Sequence, residues 1–342
     1  MGHPNEEKGK LKRLYSRKKQ FEIRRNSLIP TRKDKTKGII WNGECCMGYK
    51  KLSISNNTAI SAIYFALLHC GYDFYSIGHD ASTVNKLRSF IVPNRGKYGF
   101  FSEVRQNTCE VYPYWPRAAM LETATFYIDL PRACFVDFDA YKSKILSAEN
   151  ISDIERNETF WNWILRFPTA LKDVFHSDCF SRYLEWENTW IEDQNKRYQA
   201  NLKRIEGILV PCKERFHSPF QHLQIVLNPI KCAYSADYHV KDETFIFCSG
   251  ALSEESVIHE FLHHAVHPVV ENRKDEILRC SLVNLDLDAS YYLNGNEAGK
   301  LNAFEEYMVR KLTDKILSGD VPENLGVFFD CEIRNLRTYP LV

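Results

Sequence analysis

No apolar run reaches the roughly 18 residues that a membrane-spanning helix needs. The N-terminus, MGHPNEEKGKLKRLYSRKK, lacks the apolar core of a secretory signal. It also has Glu6 where a myristoylation signal requires Ser or Thr. C-x-x-C pairs are absent, and the eleven cysteines are odd in number and scattered along 342 residues. A disulfide framework and a cysteine-built zinc cluster are therefore not expected. The thiols are expected to be reduced, several of them as small core hydrophobes. The neighbouring pair Cys45 and Cys46 shows no marker of a lowered thiol pKa beyond Lys50 and Lys51. Together these absences lead to the expectation of a cytoplasmic chain with no membrane contact.

A large excess of either charge is also missing, since the net charge is +1. The balance is uneven, however. Residues 1–38 hold 13 Lys or Arg against 4 Asp or Glu, so a basic arm precedes a mildly acidic body. Such an arm suits nucleic acid or anionic lipid. With only Tyr15 and Phe21 to stack on bases, a solvated tail is the favoured reading. A helix is expected over 8–25, ended by Pro30.

What is present reads as a mostly helical α+β protein. The stretch NNTAISAIYFALLHCGYD (56–73) has helical apolar spacing and ends at Gly71. Residues 150–215 are helical in character, with a break expected at Pro168 and an aromatic core supplied by Trp161, Trp163, Trp186 and Trp190. Strands are expected over 221–230, 232–240 and 244–250. The chain divides accordingly into the arm (1–38), a helical lobe (39–215) and a core of strands and helices (216–342).

The chemistry concentrates in SEESVIHEFLHHAVHPVV, residues 253–270. Ser253 is a suitable N-cap, Glu254 and Glu255 match the positive end of the helix dipole, and Pro268 is the expected stop. His259 and His263 stand one turn apart, so both imidazoles can reach one zinc ion at about 2.0–2.1 Å. Glu260, turned about 100° from His259, occupies the general-base position of this H-E-x-x-H motif. Val257, Ile258, Phe261, Leu262, Ala265 and Val266 form an apolar back. His264 points to the flank. His267 lies about 12 Å along the axis from His259, too far to share its ion, and reads as a C-terminal cation or an outer contact of the site.

Val266 and Val269 exclude the metzincin pattern, so the third ligand must come from elsewhere. The helix expected over 296–317 carries Glu305 and Glu306. Glu305 shares a face with Leu301, Met308, Val309 and Leu312, where a carboxylate calls for a partner. Glu306 has Arg310 one turn later, which also suits a plain surface ion pair. The wheel alone leaves the choice open.

Over residues 221–317 the sequence resembles the gluzincins, the thermolysin-like clan of zinc peptidases. It is also similar to a poorly characterised bacterial group with an HEF-x-H helix, in which an Asn-Pro follows where this chain has His267-Pro268. That resemblance implies a zincin-like core with a small mixed or antiparallel sheet. It implies a metallopeptidase with a peptide or protein substrate, Zn2+ held by His259, His263 and a later Glu, and Glu260 as general base. Within the group a Glu-x-x-x-Arg marks the ligand, which favours Glu306 with Arg310. The better-known Glu-x-x-x-Asp is absent, leaving the partner of the histidines open. Oxyanion donors could be Tyr291, Tyr292, Tyr307, His239 or Arg310, and an edge strand near 243–248 could hold an extended substrate. The competing expectation is a zincin-like protein without turnover, regulatory or associated with nucleic acid through its arm.

Overall fold

The computed structural model describes residues 52–71, 78–91, 98–106, 121–122, 124–126, 158–234, 236–282 and 297–336. The basic arm, Cys45, Cys46, Tyr291 and Tyr292 lie outside these. The chain is mostly helical with one small mixed sheet, an α+β architecture. In chain order it runs β1 (Ile54–Ser55), α1 (Thr58–His69), α2 (Ala81–Arg88), α3 (Gly99–Gln106), α4 (Glu158–Phe175), α5 (Asp178–Arg197) and α6 (Gln199–Arg215). Then come β2 (His222–Leu227), β3 (Ala236–Lys241), β4 (Thr244–Ser249), α7 (Glu254–Asn272), α8 (Lys274–Ile277), α9 (Glu297–Leu317) and α10 (Leu325–Leu336). No described helix is long and apolar enough to cross a membrane.

The sheet order is β1-β2-β4-β3, with β1, β2 and β4 parallel and β3 antiparallel to β4. Both faces are covered, which explains why β2 and β4 read as nearly continuous apolar runs. Side chains alternate between two cores. Ile225, Phe245, Phe247 and Tyr238 face the helices α6, α7 and α9. Val226, Ile246 and Cys248 face α1, α4 and α5. β1, drawn from the segment before residue 215, pairs with β2, so the sheet is shared by the two stretches of sequence on either side of that point. Trp186 packs partly buried against one core and Trp190 against the other.

α1 is the helix expected over 56–73. Asn57 caps it by accepting from the amides of Ala59 and Ile60, at 3.0 and 3.2 Å, and Gly71 ends it at φ +87°. Residues 59–69 are all buried, so this helix is central rather than amphipathic. Two prolines expected to break or stop helices lie inside them, as does a third. Pro168 lies inside α4, Pro211 inside α6, and Pro268 inside α7, which continues to Asn272. A proline in a helix interior costs about 3 kcal/mol. Beyond Pro268, burial of Val270 to 1% exposure, with Val269 partly buried beside it, offsets that cost. The expected edge strand is also corrected. Residues 244–249 lie inside the sheet between β2 and β3, and among the described strands β1 and β3 stand at the ends of the order. The cysteines described are free thiols, and Cys212, Cys232, Cys248 and Cys280 are buried.

Candidate metal centre

α7 starts where Ser253 caps it, its Oγ accepting from the amide of Ser256 at 3.3 Å. Glu254 in the first turn is held by Asn201 at 2.6 Å and Arg204 at 3.1 Å, tying α7 to α6. The apolar back packs into the core behind β4, with Phe261 and Phe245 rings 5.4 Å apart at 74°. On the other side α7 meets α9.

At that contact three donor atoms converge. His259 Nε2 and His263 Nε2 are 3.3 Å apart. Glu306 Oε2 lies 3.7 Å from the first and 4.0 Å from the second. A tetrahedral ion with bonds of about 2.0–2.1 Å separates its ligands by about 3.3 Å. Two imidazoles and a carboxylate at these spacings could therefore hold one metal ion.

The next layer fixes the orientation of that triad. Glu305 Oε1 accepts from His263 Nδ1 at 2.8 Å. Placing the proton on Nδ1 leaves the Nε2 lone pair directed at His259 and Glu306. Glu305 Oε2 is 2.9 Å from His267 Nδ1, so one carboxylate grips two histidines a turn apart. Glu306 Oε1 receives Nε and Nη2 of Arg310, each at 2.8 Å, which leaves Oε2 to face the histidines. Both glutamates are almost fully buried, at 2% and 1% exposure. Tyr238 of β3 lies parallel to the His263 ring, 6.2 Å away.

Each expected residue can now be placed. His259, His263 and Glu306 come together, and Glu260 is buried on the same helix. Glu305, left open against Glu306, takes the part of the histidine partner that the sequence pattern did not supply. The signal was there: a carboxylate on an apolar helix face beside the candidate ligand Glu306. Because α7 runs on to Asn272, His267 is not in the last turn, and its role is the contact with Glu305. His264 is a core residue. Its ring packs against Phe220 and Phe261, its Nδ1 meets the Phe261 carbonyl, and burial pushes its pKa down to about 4. The described oxyanion candidates are committed elsewhere. Arg310 is on Glu306, Tyr307 donates to Glu332 at 2.6 Å, and His239 faces the opposite side of the sheet from Tyr238.

No protein-family model, curated protein or solved structure matches this chain. The reading of the centre therefore rests on its own geometry.

Proposed function

We propose that this protein is a zinc-dependent hydrolase, a metallopeptidase of the gluzincin type with a zincin-like core. The observation that supports it best is the layered arrangement: three donors within 4.0 Å of one another, with each of two donors turned by its own partner. A polar helix face with incidental histidines has no need of Glu305 on Nδ1 of His263 or of Arg310 on the far oxygen of Glu306.

His259, His263 and Glu306 would hold the ion. Bound there, zinc supplies an acidified water and polarises a carbonyl oxygen. Glu260 takes the proton from the attacking water and passes it to the departing amine, general acid–base work worth about 10²–10⁴-fold in rate. Glu305 keeps His263 in one tautomer, and Arg310 keeps Glu306 oriented.

The test is elemental analysis of the full-length protein beside His263→Ala, followed by peptide-substrate screening with Glu260→Gln as control. About one zinc per chain in the parent, little in His263→Ala, and hydrolysis that Glu260→Gln abolishes are the expected results. Absence of any divalent metal after reconstitution would overturn the proposal. Zinc binding without hydrolysis of any peptide would leave a metal-binding protein and remove the peptidase.

A further inference from the structure

A second buried charged cluster lies on the opposite face of the sheet. Lys231, in the turn after β2, is 1% exposed. Its Nζ is 2.8 and 3.0 Å from the two oxygens of Glu122 and 2.5 Å from Oδ2 of Asp237. His239 Nε2 is 3.1 Å from Glu122 Oε2, and the Tyr64 hydroxyl donates to Oε1. The Tyr64 ring stands 5.7 Å from Nζ. Glu122, His239 and Cys248 are also close enough to hold a metal ion. The ammonium already engages both oxygens of Glu122, however, so a divalent cation would sit beside a charge of its own sign. The cluster is built around an amine.

The turn presenting that amine is tightly held. Asn228 Oδ1 accepts from the amides of Ile230 and Lys231, at 3.0 and 3.2 Å. His79 Nε2 meets the Lys231 carbonyl at 2.7 Å. A Cβ on Gly250 would fall 2.1 Å from that same carbonyl oxygen, so only glycine lets the end of β4 pass there. Asp237 is fixed equally well by its pairing with Cys248 across β3 and β4. A nucleophilic nitrogen and a carboxyl group are thus pressed together by rigid backbone, with a second carboxylate touching the nitrogen and bulk water excluded.

We propose that Lys231 and Asp237 become joined by an intramolecular amide bond, formed by the chain itself with Glu122 as proton carrier. Moving one proton from Nζ to Asp237 along their hydrogen bond gives a neutral amine facing a neutral carboxyl group. The Nζ lone pair attacks Cγ of Asp237. Glu122 takes a second proton from Nζ and returns it to the departing hydroxyl. The Nζ–Cγ bond forms, one Cγ–O bond breaks, and one water leaves, with no oxidant or cofactor required. Two effects favour the product. Condensation removes a buried ammonium and a buried carboxylate, whose desolvation is costly. Exclusion of water suppresses the reverse hydrolysis. The bond closes a ring over residues 231–237 and locks the start of β3, whose next residue, Tyr238, lies against His263.

Peptide mapping of the full-length parent protein decides the matter. Unmodified Lys231 gives tryptic peptides 216–231 and 232–241. The linked chain gives a single peptide spanning 216–241, uncleaved at Lys231 and lighter by one water, about 18 Da. Recovery of the two separate peptides at their unmodified masses overturns the proposal. So does a loss of one water that persists in Lys231→Met, since that would be dehydration of Asp237 onto its own backbone. Glu122→Gln is expected to accumulate unlinked chain, and complete linkage in that variant would overturn the role given to Glu122.

Discussion

The two faces of the sheet each bury a set of ionisable side chains, and the sets solve the problem of buried charge in opposite ways. Around α7 and α9, Glu305 orients His263 and Arg310 orients Glu306, in a group that with His259 could hold a metal ion. Across the sheet, Glu122 and Asp237 surround an ammonium that the chain itself provides. Burial alone would lower the Lys231 pKa, but the two carboxylates outweigh it and raise it well above the ordinary value. One cluster could receive a cation, and the other holds the amine and carboxyl group from which the proposed amide forms. The alternation of β3 divides them, with Tyr238 on the first side and Asp237 and His239 on the second.

This contrast is sharpest under mutation. Glu260→Gln should keep zinc while peptide hydrolysis falls by about 10²–10⁴-fold, read from steady-state rates beside metal content. Retained activity would remove Glu260 from the chemistry. Lys231→Met leaves Glu122 and Asp237 buried with neither the ammonium nor the amide it forms and should cost about 3–5 kcal/mol in denaturant unfolding, while the folded fraction keeps its zinc. Loss of zinc from that folded fraction would show that the two faces are coupled.

Glu187 belongs to the same face as Lys231, joined to it through Asn228, whose Nδ2 donates to Glu187 Oε1 at 2.9 Å. Ser61, Tyr183 and Asn56 also donate to it, yet burial raises its pKa to about 7. The folded-state pKa exceeds the unfolded value, so the folded state holds the extra proton between roughly pH 4.5 and 7. Stability should therefore be greatest below that window and fall by about 3 kcal/mol as pH rises through it. Glu187→Gln should flatten that part of the unfolding profile, and an unchanged slope would assign it to other groups.

On the metal side, Glu305→Gln should weaken zinc about 10–100-fold in competition with a chelator, since it acts through His263. A pH dependence of the opposite sign is expected at His264. With its pKa at about 4 against an ordinary 6.5, it remains neutral in the folded chain while the unfolded chain takes up a proton. Its contribution is lost as pH falls below about 6.5. His264→Phe should keep full zinc content and lose that acid dependence, and a fall in zinc content would place His264 at the centre.

The sequence alone determined what is local. The 3.6-residue period of α7, its Ser253 cap and the one-turn spacing of His259 and His263 follow from neighbouring residues, and so did the expectation of a metal site there. The strands of 222–249 were legible from their β-branched and aromatic runs. Tertiary structure decided the rest. Glu305 and Glu306 differ by one position on a single helix. Only the way α9 meets α7 makes one face the histidine Nε2 atoms and the other His263 Nδ1. Pro168 and Pro268, inside α4 and α7, were misread as a break and a stop because local cost was offset by burial that no local pattern reports. The cluster around Lys231 left no trace in the pattern at all. Its members Tyr64 and Glu122 are gathered from distant segments, Glu122 lying 109 positions from Lys231. A side-chain contact across that separation is fixed by packing, not by period.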